Sequence, residues 1–197
     1  MASEQRERIQ VEYKKQLADY VSERYQFDPD GQSDYYSYFF YVGLEVMKPG
    51  GTLSYITSDQ WLDRGYGVDL QEFFLTRSKL QSVIYNRGTR SFDEADITTA
   101  ITTLNKQPES EKQLAASSRF VSCSEPYRQI VTPQQIQSIL YDSCAESAGY
   151  RGETLKLQQH QFARVVEITA ETVWRLGGGQ VSQTGASTSE KVPQGTY

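Results

Sequence analysis

The chain has 197 residues, enough for one domain of ordinary size and some extra. Its net charge is −5 with a pI near 5.0, so bulk charge does not draw it to nucleic acid and only a local cluster of basic residues could. Two cysteines, Cys123 and Cys144, lie in separate segments beside a lone histidine, His160, which argues against zinc, a disulfide framework and His-based nucleophilic catalysis.

The charged start Met-Ala-Ser-Glu-Gln-Arg-Glu-Arg has no apolar core behind it and is not a signal peptide. Residues 4–25 predict an amphipathic helix: Ile9, Tyr13, Leu17, Tyr20, Val21 and Tyr25 recur at three- and four-residue steps, with Ser3 as the N-cap. Asp28-Pro29-Asp30-Gly31 is a turn by composition. An aromatic helix over 34–47 is stopped by Pro49, Gly50 and Gly51, because proline cannot continue a helix and glycine accepts the left-handed conformation after one. Thr52 to Thr57 is a short apolar run between turn signals, expected as a strand covered on both faces. A loop over 59–66 holds Trp61, and a helix over 67–77 follows with Leu70, Phe73 and Phe74 on one side.

Strands are predicted over 80–85 and 97–104, joined by a polar loop around Phe92. The loop is too short for a helical crossover, so these strands should pair antiparallel. Residues 107–118 read as a polar linker and 119–124 as a strand. A helix is predicted over 133–147, with Thr132 as cap and Pro133 at its first position. One more strand is expected within 162–176. Residues 177–197 are Gly, Ser, Thr and Gln with almost no hydrophobes and are expected to be disordered. No run of about 18 apolar residues could span a membrane, and a cytoplasmic protein is the expectation.

Arg77, Lys79, Arg87 and Arg90 fall between Phe73 and Phe92 in a window with no acidic residue, a local charge of +4 leading into the Phe92 loop. Such a cluster suits phosphate contacts; the alternative is a solvated surface. Three short motifs mislead. Asp93-Glu94-Ala95-Asp96 spells a helicase motif but has no apolar strand before it and no phosphate-binding loop elsewhere. Glu125-Pro126-Tyr127 lacks the residues that would make it catalytic, and Gly177 to Gly179 precede no helix.

Five segments in order then carry a resemblance. They are Asp34-Tyr35-Tyr36 with Phe39, the turn Met47 to Gly51, Ile56 with Trp61-Leu62, Tyr66-Gly67 with Leu70, Phe73 and Phe74, and Ser91-Phe92-Asp93-Glu94-Ala95-Asp96-Ile97-Thr98-Thr99. Together they resemble the second half of the adenine-N6 DNA methyltransferase domain of type II and type IIG restriction-modification enzymes, with Tyr35 where the family has Leu and Gln71 where it has Arg. The resemblance implies an α/β fold: the C-terminal half of a Rossmann-like methyltransferase sheet ending in an antiparallel hairpin, plus a small α+β extension. It makes 52–57 the fifth strand and 80–104 the hairpin. It also implies a partial methyltransferase domain over 1–106, an extension over 107–176 leading toward a target-recognition domain, and the tail.

The resemblance assigns site residues. Phe92 would stack on the flipped adenine, because a base taken out of the duplex needs an aromatic face to replace its lost stacking; otherwise it anchors its own loop. Phe39 would lie against the adenine of S-adenosyl-L-methionine; otherwise it packs helix to sheet. Trp61, just past a strand's carboxyl end, is expected to pack the next helix. Arg77, Lys79, Arg87 and Arg90 would contact DNA phosphates.

The family's cofactor turn, Gly-x-Gly after the first strand, and its catalytic Asn/Asp/Ser-Pro-Pro-Tyr find no match: none of the six prolines are adjacent. The expectation is therefore a fragment, inactive alone and without a complete S-adenosyl-L-methionine site, that begins after the catalytic motif. Two alternatives stay open: a split-enzyme subunit completed by a partner chain, and a non-catalytic protein- or DNA-binding remnant. Half a sheet leaves a strand edge unpaired, which calls for the missing half in cis or trans, or for self-association.

Overall fold

A computed structural model describes residues 2–87, 97–107, 116–127 and 132–176. The elements in order are helix α1 (Ala2–Tyr25), helix α2 (Tyr35–Val46), strand β1 (Thr52–Ser58), a 3-10 turn (Asp59–Leu62), helix α3 (Gly67–Arg77), and strands β2 (Lys79–Asn86), β3 (Thr99–Asn105) and β4 (Ser117–Cys123). Helix α4 (Pro133–Tyr141), strands β5 (Glu146–Tyr150), β6 (Glu153–Gln159) and β7 (Ala163–Thr169), and helix α5 (Ala170–Leu176) complete the described chain. The strands form one mixed sheet of seven, in the order β1-β3-β2-β4-β7-β6-β5. Among the described residues no helix is long and apolar enough to cross a membrane.

The α/β fold and the antiparallel β2–β3 pairing are as expected. The sheet does not stop at that hairpin, however: β3 lies inside, between β1 and β2, and β4 adds parallel to the outer edge of β2. The extension therefore continues the sheet.

Helices α1 to α3 cover one face. Aromatic residues dominate the contact: Phe40 meets Phe74 at 4.9 Å between ring centroids, Tyr41 meets Phe73 at 4.6 Å, and Trp61 meets Phe74 at 5.3 Å, all edge to face. They pack down on Val83, Ala100 and Leu104 of β2 and β3. A smaller cluster on the other face sets Ile139 of α4 over Val121, Cys123, Ala163 and Val165.

Local chemistry explains most boundaries. Asp34 caps α2 by accepting from the Tyr35 N–H. Lys48-Pro49-Gly50-Gly51 is a tight turn closed by Gly51 N–H to Lys48 O at 2.9 Å, with Gly50 at φ +78° where only glycine is unstrained. Thr132 and Gln135 form a reciprocal capping box with Pro133 just inside α4.

Four expectations need correction. Helix α1 begins at Ala2, so Ser3 lies inside it and is no cap. Its first half does not reach the core: Ile9 is 62% exposed, while Leu17, Val21 and Tyr25 pack. β1 is covered on one face only, since Leu53 and Tyr55 meet the helices but Ile56 on the opposite face is 49% exposed. The helix expected over 133–147 ends at Tyr141, where the Asp142 N–H bonds Ser138 O in the last turn and the chain then extends into β5. The β5–β6 hairpin was not foreseen; it turns on Arg151 and Gly152, at φ +49° and +85°.

Candidate functional site

β1 and β2 both run antiparallel to β3, and β4 runs parallel to β2, so β1, β2 and β4 end at one edge of the sheet. Ligands of open α/β sheets bind at that carboxyl edge. The groups there hold both ends of the segment that carries Phe92. On one side the Arg87 N–H bonds Cys123 O at 3.0 Å, and the Asn86 side chain donates to Glu125 O at 3.1 Å. On the other side the Asp59 N–H bonds Thr98 O, and the Thr98 hydroxyl donates back to the Asp59 carboxylate at 2.7 Å. The Tyr127 hydroxyl bridges the two strands by donating to Thr99 O at 2.6 Å, with Ile84 O at 3.3 Å. Residues 88–96, with Arg90 and Phe92, lie outside the described residues; so does the tail.

Asn86 and Tyr127 went unnoticed as anchors in the sequence. Tyr127 belongs to the Glu125-Pro126-Tyr127 run that misleads by its spelling, and its contacts come from positions 28 and 43 residues away. No local pattern signals that.

The four basic residues do not make one patch. Arg87 stands past the carboxyl end of β2, whereas Lys79 begins that strand and Arg77 ends α3. An extended strand rises about 3.3 Å per residue, which puts Lys79 and Arg87 roughly 25 Å apart. The Arg77 guanidinium is also engaged, donating to Tyr25 O at 3.0 Å at the carboxyl end of α1, where a cation suits the helix dipole. Arg87 alone of the three described cations sits beside the Phe92 segment.

Phe39 does not pack helix to sheet; its neighbour Phe40 does, at 0% exposure against 64% for Phe39. Tyr35, Phe39, Val42 and Val46 recur at four- and three-residue steps, which places them on one side of α2. All four are exposed, from 36% at Val42 to 77% at Val46. Gly43 lies against the sheet instead, where an added Cβ would stand 3.0 Å from the Tyr55 hydroxyl and 3.1 Å from Leu53. Near this stripe β1 presents an outer edge that no described strand pairs.

Trp61 is buried at 1% and packs on α3, as expected. Its carbonyl oxygen accepts from the Gln71 side chain at 2.9 Å, so Gln71, standing where the family resembled has Arg, closes the 3-10 turn onto α3. Gly67 is required at the same contact, because a Cβ there would fall 1.8 Å from Trp61 O.

One ion pair lies at the opposite, amino edge of the sheet, where α2 ends and β1 begins. Glu45 accepts from Arg24 Nε at 2.8 Å and the Tyr25 hydroxyl at 3.0 Å, while Lys106 Nζ donates to Glu45 O at 2.9 Å. The Arg24 hydrogen bond holds the Glu45 carboxyl below its ordinary value, and burial pushes the Tyr25 phenol up.

Residues 6–92 match the family of Eco57I restriction-modification methylases. The match runs from α1 through β2 into the Phe92 segment, and so takes in the exposed stripe of α2 and the outer edge of β1. Among solved structures, the fold is similar to that of the type IIG restriction endonuclease BpuSI, at 15% identity and a TM-score of 0.54 over 81% of this chain and 17% of that one. It is also similar to the type I restriction-modification methyltransferase subunit from Streptococcus thermophilus, at 16% identity and a TM-score of 0.50 over 81% of this chain and 32% of that one. The chain thus spans less than a third of either structure. Both likenesses reach well beyond the methylase match, so the extension belongs to the shared fold. A comparison with curated proteins found no match.

Proposed function

We propose that this chain is part of a site-specific DNA methyltransferase of the restriction-modification kind, which transfers a methyl group from S-adenosyl-L-methionine to adenine N6. In this reading it is inactive alone and works with a segment, in cis or in trans, that supplies the Gly-x-Gly turn and the Asn/Asp/Ser-Pro-Pro-Tyr motif. Residues 1–106 then act as the partial methyltransferase domain, 107–176 as the extension toward target recognition, and 177–197 as a tail.

The observation that carries the reading is the coincidence of the methylase match with an unfinished surface. The matched stretch contains the exposed stripe Tyr35, Phe39, Val42 and Val46, and the outer edge of β1. An exposed apolar stripe beside an open strand is the surface a further layer of sheet would cover.

Phe39 fits the role of a face for the cofactor's adenine because it is exposed and does not serve the core. When bound, the cofactor supplies an electrophilic methyl group. This chain's part is to hold the acceptor: Phe92 stacks on the flipped adenine, and Arg87 at the base of its segment contacts a flanking phosphate. The anchors Asn86, Thr98 and Tyr127 keep the two ends of that segment in place.

The test adds a polypeptide carrying the two missing motifs to this chain, with labelled S-adenosyl-L-methionine and duplex DNA. The expected result is label on adenine N6 only when both polypeptides are present, abolished by Phe92→Ala. Tight S-adenosyl-L-methionine binding by this chain alone, unaffected by Phe39→Ala, would overturn the claim of an incomplete cofactor site. Absence of methylation by the complemented, cofactor-bound pair would favour a non-catalytic binding module.

A further inference from the structure

The extension and the end of β2 line a half-open cavity of about 360 Å³, within the usual range of small-molecule sites. It lies on the face of the sheet that carries α1 to α3, but past their cover, where α5 folds back over the strands. Its floor is an apolar row set by strand register, Phe120 opposite Val166 and Val166 opposite Leu157. Val173 of α5 closes one wall.

The next row toward the carboxyl edge changes character. Tyr85 pairs with Ser122 and Ser122 with Arg164, and Arg87 stands two residues beyond Tyr85 on the same face. Strand spacing near 4.8 Å and a rise near 3.3 Å place the Cα atoms of Arg87 and Arg164 roughly 12 Å apart, within reach of one anion for two long side chains. Both are exposed, and neither makes an ion pair among the described residues. The other three described arginines of the extension are engaged: Arg119 with Glu167, Arg175 with Glu153, and Arg151 over the Tyr150 ring at 5.4 Å.

We infer that this cavity is a nucleotide subsite that takes one unstacked base of a DNA strand, separate from the pocket that would hold the methylated adenine. Three flat rings line it, Tyr85, Phe120 and Tyr150, and aromatic faces hold bases whatever their identity. The two arginines supply the charge complement of a flanking phosphate, and a guanidinium matches phosphate geometry bidentately. The site also shares Arg87 with the carboxyl edge of the sheet. The inference rests on the DNA-methyltransferase reading for its ligand, but it is tested without methylation.

The probes are deoxyadenosine 5′-monophosphate, deoxyadenosine, inorganic phosphate and decanoate, titrated against the full chain and followed by amide NMR shifts. The monophosphate is expected to shift Ser122, Gly149 and Arg164 saturably, and to bind about tenfold or more tighter than the nucleoside or phosphate alone. Arg87→Gln and Arg164→Gln should each weaken it about tenfold, the loss of one charge-assisted hydrogen bond, without lowering the melting temperature. Equal or tighter binding of decanoate would overturn the inference in favour of an amphiphile site. So would monophosphate shifts confined to the Phe39 stripe, no shifts, or insensitivity to both substitutions. If these fail while the complemented pair still methylates DNA, only the subsite falls. If the subsite binds while methylation is never seen, the methyltransferase reading falls.

Discussion

The two halves of the sheet are built to different standards. From α1 to β3, aromatic side chains from three helices fill the space over the strands, and Trp61, Tyr41, Phe40, Phe73 and Phe74 are all below 2% exposed. From β4 to α5 one face buries Val121, Cys123, Ala163 and Val165 under Ile139 of one short helix, and the opposite face keeps a cavity. Dense aromatic packing makes the first half rigid, whereas a half that leaves volume unfilled has room for a ligand. Among the described residues each half ends in an edge strand without a further partner, β1 and β5, and the first half also sets the apolar α2 stripe near its edge.

Core truncations should separate the halves most. Phe73→Ala is expected to cost about 4 kcal/mol and Val165→Ala about 2 kcal/mol, read from urea midpoints at constant slope. Equal costs would mean the small cluster is more tightly packed than its contacts suggest.

One glycine substitution made in each half sharpens the contrast. Gly67→Ala forces a Cβ into Trp61 O and should destabilise by about 3 kcal/mol, while Gly149→Ala in β5 meets nothing within 4 Å and should change stability by less than about 0.5 kcal/mol.

Charge contributes in the reverse order. Arg119 donates to Glu167 on the neighbouring strand at 2.9 Å, and to Ile139 O and Asp142 O at 3.0 and 2.7 Å, pinning the end of α4 to the sheet. Only 12% of its side chain is exposed, so Arg119→Met should cost about 2 kcal/mol. Arg24→Met, at a side chain 56% exposed, should cost much less than Arg119→Met, and 1 M salt should erase most of its difference from wild type.

The smallest effect is chemical. Burial pushes the Cys123 thiol up to about 11, so the folded state favours the neutral thiol more than the unfolded state does. The stability this gives is complete below the ordinary thiol value of about 8.5 and is lost as pH rises toward 11. At pH 8, iodoacetamide should therefore label Cys144, which is partly exposed, and reach buried Cys123 only on unfolding. Equal labelling rates in the native protein would show that α4 opens readily.

The first half was largely legible in the sequence. Asp34, the Pro49-Gly50-Gly51 turn and the spacing of Leu70, Phe73 and Phe74 gave α2, β1 and α3 to within a residue or two, because caps and turns act over three or four positions. The extension was legible in part: Thr132-Pro133 marked the start of α4, and the strands expected over 119–124 and within 162–176 are β4 and β7. Its β5–β6 hairpin escaped notice: Leu155 and Leu157 alternate but are too few to mark a strand, and the turn relies on a left-handed Arg151 that no propensity announces.

The candidate site divides in the same way. The family resemblance singled out Phe39, an aromatic in a polar loop drew attention to Phe92, and a window without acidic residues drew attention to Arg87. Arg77 and Lys79 were grouped with Arg87 by adjacency in sequence, and an extended strand undid the grouping by carrying them to opposite edges. Arg164, Tyr127 and Asn86 came to the carboxyl edge only through strand order. Sequence by itself determined which segments become helix or strand in the first half and which residues stand out there, because those choices are local. Only the tertiary structure decided that β4 continues the sheet, that β1 is left open, and that a cavity forms beside Arg87, because each depends on pairings between residues far apart in the chain.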